Sequence, residues 1–309
     1  MIKIASALLV ALTVSSAHAR LKLIPDVAST NAGDKEDYRL GDEWGKKRVT
    51  AESLRAENPA FQRAAMATAY LPVGGTGFYL GKFNNVHVLA TNHHVCSSER
   101  DCVGDKAAFR LLNKSFRMTK LFISLPDIDL ALVALDVPKE DEALVAKVAK
   151  NFAFRKELKK GQELLTVGFG IGGNPNNYMM ANKDSDCKVF SKDGEYKHLA
   201  DPDEFNPADY KAWSFAHACD ISHGDSGSAM VDRNTGDVMG IVWTGKIPKA
   251  KAVQSTANLQ KMFETSSPAI WKELSFAVPA SKMAVYLKNL TTDSQVEDET
   301  KAVFKAMLK

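Results

Sequence analysis

From Ala67 onward, short apolar segments alternate with turn residues at frequent intervals. Ala67–Leu71, Gly77–Lys82, Val86–Ala90, Ala107–Leu112, Phe116–Leu125 and Leu130–Val137 form one such series. Glu163–Phe169, Cys187–Phe190, Trp213–Ala218, Ser228–Val231, Val238–Thr244 and Leu274–Val278 form a second. Segments of this length and spacing, punctuated by glycine, proline and asparagine, predict an all-β barrel or sandwich. Lys139–Lys160, between the two series, is charged and helix-prone and reads as a connection. Pro279 and Ala280 open a helical pattern through Leu290, with Met283, Val285, Tyr286 and Leu290 as its apolar positions. Val296–Lys309 predicts one more short helix.

Other stretches lack such a pattern. Residues 20–65 are polar and aperiodic, with a short helical signal capped by Thr50, and read as a propeptide or arm outside the core. Residues 171–186 and 191–212 are turn-rich and read as surface loops.

The first residues change the picture in another way. Met1-Ile2-Lys3 is a cationic start, Ile4–Val14 an apolar run, and Ala17-His18-Ala19 sets small side chains before Arg20. That is the layout of an export signal, and the run is too short to span a bilayer. No cysteine stands at the cut, so no lipid anchor is implied. The resulting division is a signal at 1–19, an arm or propeptide at 20–65, two β units at 66–140 and 141–290, and a helical tail at 291–309. The chain is 45% hydrophobic, enough for a substantial core. A net charge of +3 points to neither a nucleic-acid nor a membrane partner. Cys96, Cys102, Cys187 and Cys219 allow three disulfide pairings. A bridge between Cys96 and Cys102 would close a small loop and leave Cys187 and Cys219 to close a larger one. A zinc site needs tight paired spacing, which is absent, so no metal is implied.

Three motifs carry chemistry. Ala90-Thr91-Asn92-His93-His94-Val95-Cys96 follows an apolar strand, Asp129-Leu130-Ala131-Leu132 begins one, and Gly224-Asp225-Ser226-Gly227-Ser228 precedes one. A serine hydroxyl needs a base to become a nucleophile, and histidine titrates near neutrality. The imidazole in turn needs a carboxylate on its other nitrogen. A glycine two residues before the serine permits a bend that brings the amides of Gly224 and Ser226 onto one oxyanion.

In content and in the order His, Asp, Ser, these motifs resemble the chymotrypsin-like serine proteases, and Thr91–Val95 is similar to the bacterial, glutamyl-endopeptidase-like branch. The resemblance spans roughly residues 66–290. Gly75-Thr76-Gly77-Phe78 resembles the family's early hairpin, and Ser275–Pro279 with its helix the end of the second barrel. It implies an all-β fold of two six-stranded antiparallel barrels with a C-terminal helix. It also implies a secreted serine endopeptidase acting on protein or peptide, with catalytic His94, Asp129 and Ser226 and no cofactor. His94 is selected over His93 because the family places its base immediately before the Val or Cys. Asp129 is selected over Asp127 because it begins the apolar run, whereas Asp127 follows Pro126 in a turn. Cys187 and Cys219 sit where bacterial members resemble one another in a bridge near the nucleophile.

Three further expectations follow from the resemblance. Val242, Trp243, Thr244 and Gly245 resemble the strand that pairs with substrate. Asp220, six residues before the nucleophile, resembles the acidic base of a pocket for Arg or Lys, while Val242 stands where glutamyl-specific relatives carry histidine. Asp225 resembles the carboxylate that pairs with a freshly cut N-terminal ammonium, and Lys46-Lys47-Arg48 before Val49 offers a basic cleavage site, the layout of a zymogen. A non-catalytic binding protein on the same scaffold and an esterase are the competing functions. The motifs do not speak to oligomeric state.

Overall fold

The computed structural model describes residues 34–265 and 271–309; the proposed export signal lies outside them. In the arm, a three-residue strand β1 (Lys46–Arg48) precedes helices α1 (Ala51–Arg55) and α2 (Pro59–Ala67). Thr50 and Ser53 cap α1 reciprocally. Asn58 Oδ1 accepts from the Phe61 amide with Pro59 in the first turn, a strong helix start.

Six strands then close a barrel. They are β2 (Thr68–Leu71), β3 (Gly75–Phe83), β4 (Val86–Thr91), β5 (Lys106–Phe109), β6 (Lys114–Leu125) and β7 (Leu130–Asp136), in the order β2-β3-β4-β7-β6-β5. A short helix α3 (Glu99–Cys102) links β4 to β5. Asn84 and Asn85, both at positive φ, form the two-residue turn between β3 and β4. Such turns match the twist of paired strands, and asparagine tolerates them. Leu71, Tyr79, Leu89, Phe109, Met118 and Val133 fill the interior. β7 pairs with both β4 and β6 and is buried on both faces up to Asp136. That explains its unbroken apolar sequence.

Helix α4 (Lys139–Ala146) opens the connection to the second sheet. That sheet comprises β1 with β8 (Leu164–Gly168), β9 (Met180–Asn182), β10 (Lys197–Ala200), β11 (Lys211–His217), β12 (Ala229–Asp232), β13 (Val238–Gly245) and β14 (Ser275–Pro279). Its order is β1-β9-β8-β12-β13-β14-β11-β10. Helix α5 (Thr256–Thr265) lies between β13 and β14, and α6 (Ala280–Leu290) and α7 (Asp298–Met307) follow. Both predicted C-terminal helices are present, and α7 buries Val303, Phe304 and Met307.

The second sheet differs from the expected six-stranded barrel, since eight strands stand in an open order. The additions are β1, β9 and β10, each three or four residues long and drawn from stretches read as arm or loop. Cys187–Phe190 forms isolated bridges at Lys188 and Val189 and no strand. The arm also belongs to the core. Tyr38, Leu40, Val49, Leu54 and Phe61 are buried, at spacings that form no periodic stripe. The four cysteines form the bridges Cys96–Cys102 and Cys187–Cys219. Among the described residues no helix is long and apolar enough to cross a membrane.

Candidate active site

His94 sits just past the end of β4. Thr91 Oγ1 donates to Thr76 O at 2.8 Å, and the Cys96 amide donates back to Asn92 O at 3.1 Å, so the chain turns sharply around His94. The bridge to Cys102 follows at once. Asp129 ends a single turn over Pro126–Ile128 and takes φ +34°, a conformation rare outside glycine. Asn92 Nδ2 donates to Asp129 O at 2.8 Å and holds it there.

The fully buried Asp129 carboxylate accepts three hydrogen bonds. His94 Nδ1 lies 2.9 Å from Oδ2, and the His94 amide donates to Oδ1 at 3.1 Å. The Tyr210 hydroxyl donates to Oδ1 at 2.8 Å and lies 3.3 Å from His94 Nδ1. Burial lowers the affinity of His94 for a proton, but the charge and hydrogen bond of Asp129 outweigh it and hold the imidazole above the usual histidine value. With Nδ1 occupied and the side chain about one-third exposed, Nε2 is the nitrogen left for other chemistry. Burial, and then the charge of Asp129, push the Tyr210 phenol up, so it remains a donor.

The competing residues are engaged elsewhere. His93 Nδ1 meets Ser124 Oγ at 2.7 Å, and Asp127 lies 3.6 Å from His198.

Ser226 lies on the turn before β12. Glycine is required on both sides of it. Gly224 (φ +91°) and Gly227 (φ +88°) occupy the left-handed region, and a Cβ on Gly227 would fall 1.9 Å from Thr76 O. The Thr76 amide donates to Ser226 O at 2.8 Å, and Thr76 Oγ1 to Gly224 O at 2.7 Å. A Cβ on Gly75 would touch both Val95 and Ser226 O, so the serine turn and the His94 segment border the same glycine. The Ser226 hydroxyl is partly exposed and takes no hydrogen bond among the described residues. The amides of Ser222, Asp225, Gly227 and Ser228 all donate within the protein. Those of His223, Gly224 and Ser226 have no acceptor among the described residues.

One expectation needs correction, and another residue has a partner that was not expected. Asp220 is not offered to a substrate cation. It is buried, and its oxygens accept from the amides of Leu40 and Gly45, each at 2.7 Å. Burial raises its pKa to about 7 against those two hydrogen bonds. In the uncut chain Asp225 has an internal partner. Its Oδ2 meets the Lys46 ammonium, both side chains 1% exposed, while the Val49 amide donates to Met179 O at 2.8 Å.

Of the expected substrate strand, Val242 is bonded to Gly227 and Ser228 on one side and paired with Ala277 on the other, so it offers no free edge. β12 pairs no further than Ile241. Thr244 and Gly245 pair with β14 alone. The loop after β10 lies over them, with Thr244 Oγ1 bound to Asp201 and Tyr210 stacked on Trp243.

Sequence reasoning missed Lys46 and Tyr210. Lys46 lies within the basic cluster read as a cleavage site, and no local signal singles out Tyr210 in its turn-rich stretch.

A closed barrel whose rim carries an Asp–His pair, beside a serine held between two left-handed glycines, defines a serine peptidase. The family model described as a trypsin-like peptidase domain matches residues 75–241, and the chain belongs to that family. No curated protein sequence matches significantly. Among solved structures, the chain is similar to an inactive mutant form of the Rv3671c protein from M. tuberculosis H37Rv. The TM-score is 0.47 at 19% identity, over 81% of this chain and 99% of that one. It is also similar to the active form of the Rv3671c protease, with TM-score 0.45 and 18% identity over 83% and 93% of the two chains. A variant of the HtrA-type protease AlgW with a tripeptide gives TM-score 0.45 and 17% identity, over 77% and 64%.

Proposed function

We propose that the chain is a secreted serine endopeptidase in which Ser226 is the nucleophile, His94 the base and Asp129 the orienting carboxylate. The observation that carries this reading is the His94–Asp129 contact at 2.9 Å beside a serine turn with unused amides. His94 Nε2 takes the proton of the Ser226 hydroxyl as Oγ attacks the scissile carbonyl carbon. The developing oxyanion is met by the amides of Gly224 and Ser226. The imidazolium then passes its proton to the leaving amine as the C–N bond breaks and an acyl-enzyme remains. Water, activated by the same imidazole, releases the acid. The Ser226 hydroxyl has to approach Nε2 for the first step, a contact that commonly tightens only when substrate binds.

On the Thr91–Val95 segment we place the chain in the bacterial glutamyl-endopeptidase-like branch. Glutamate specificity is not part of the proposal, because Val242 is interior. Export rests on residues 1–19, and two disulfides suit an oxidising compartment. Residues 66–140 and 141–290 form the two catalytic halves.

The test is labelling of the purified protein with a fluorophosphonate probe, together with cleavage of an unfolded protein substrate. Both are expected, and both are expected to vanish in Ser226→Ala. Labelling without proteolysis would make the protein an esterase, and no labelling would end the hydrolase reading.

A further inference from the structure

Lys46 and Asp225 are 179 residues apart and meet in the interior, each side chain 1% exposed. Burying two ions costs about as much as their attraction returns, so such pairs are poor devices for stability alone. Their use is geometric, and here the geometry concerns the nucleophile. Asp225 precedes Ser226, and its carboxylate is the hub of the turn. Oδ1 accepts from the Gly170 amide at 3.1 Å, and Oδ2 from the Ser222 amide at 2.7 Å and the Ser222 hydroxyl at 3.2 Å. Among the described residues, the Lys46 ammonium is the one cation on this hub. It is delivered by β1, whose register sets Lys46 opposite Asn182. The segment containing Asp220 and Asp225 grips the arm a second time, because Asp220 accepts the amides of Leu40 and Gly45.

We propose that Lys46 is a positioning residue for catalysis. Resting on the peptidase reading above, its ammonium fixes the Ser222–Ser228 turn through Asp225, so that the amides of Gly224 and Ser226 converge on the oxyanion. The arm that carries it is a working part of the mature enzyme. Its ammonium is already in place in the uncut chain, so no cut at Arg48 is needed to supply one. Without that ammonium the Asp225 side chain loses its tie to β1, and the turn it holds is released.

The experiment uses the full chain. Rates of fluorophosphonate labelling and of peptide hydrolysis are measured for wild type, Lys46→Met, Lys46→Ala and the Lys46→Met/Asp225→Asn pair, with folding followed by circular dichroism. Lys46→Met is expected to label about 100-fold more slowly, the scale of a lost oxyanion donor, with kcat falling and KM little changed. Lys46→Ala is expected to regain labelling when n-propylammonium is added, whereas a purely structural loss would not respond to a small cation. The double variant removes the unpaired charge and is expected to fold well yet stay slow. Labelling of the double variant at the wild-type rate overturns the inference. So does failure of every variant to fold, which would assign Lys46 to folding. An unlabelled wild-type chain would instead sink the peptidase reading itself.

Discussion

The first barrel and the second sheet solve the same problem differently. The barrel closes with six consecutive strands, and its interior is supplied almost wholly by residues 67–148. The second sheet stays open in strand order and recruits β1 from well before the barrel in sequence. Its Ser226 turn is bonded to Thr76 from the barrel and to Lys46 from the arm. The His94–Asp129 pair is therefore carried by a unit fixed mainly by local contacts, with Tyr210 as its one distant donor among the described residues, and the proposed nucleophile by one fixed from a distance. Damage far from Ser226 in sequence should reach it more readily than it reaches His94.

The largest expected effect tests the local half. Asp129→Asn should lower kcat by about 10⁴-fold, the loss typical of serine-protease triads. The pH profile sharpens the point. A base whose conjugate acid is held up works above that pKa and fails as pH falls through it. The acid limb of kcat/KM should therefore lie above the ordinary histidine value of 6.5, and Asp129→Asn should move it down. A limb that does not move would separate Asp129 from the titration. Next comes the distant half. Leu40→Ala empties a site in the arm that is 1% exposed and should cost about 3 kcal/mol in denaturant unfolding. A loss below about 0.5 kcal/mol, the usual range for surface substitutions, would show the arm to be detachable.

Tyr210→Phe removes one donor from the Asp129 carboxylate and should slow kcat about tenfold, in line with a hydrogen bond to a charged acceptor. It should shift the acid limb slightly upward, because a less solvated carboxylate holds the imidazolium more strongly. His93→Asn should matter least, with less than about a threefold change in kcat/KM, within the usual effect of a substitution off the reacting groups. A larger fall would bring His93 into the mechanism.

What the sequence made legible follows the same division. All six barrel strands coincide with apolar segments bounded by turns, because β-hairpins leave a local signature of alternation and turn residues. Asp129 is separable from Asp127 by the apolar run it begins, whereas His94 is separable from His93 only by the family resemblance, which sets the base immediately before Val95. The second sheet was legible only where a strand carries an apolar run. β1, β9 and β10 are short and carry no apolar run, and Lys46–Asp225 and Tyr210–Asp129 join residues 179 and 81 positions apart. Long-range polar pairs leave no periodic trace. Asp220 misled for a related reason. Its spacing from Ser226 matched a pocket carboxylate, but two amides of the arm occupy it.

β1 has one more consequence, outside catalysis. It is the border strand of the open sheet, the place where a foreign strand could add itself. At three residues, all cationic, it offers a short and self-repelling template. The Arg48 guanidinium also lies over the Tyr178 ring, 3.6 Å from its centre. A border built this way is a poor template for strand addition by a second molecule.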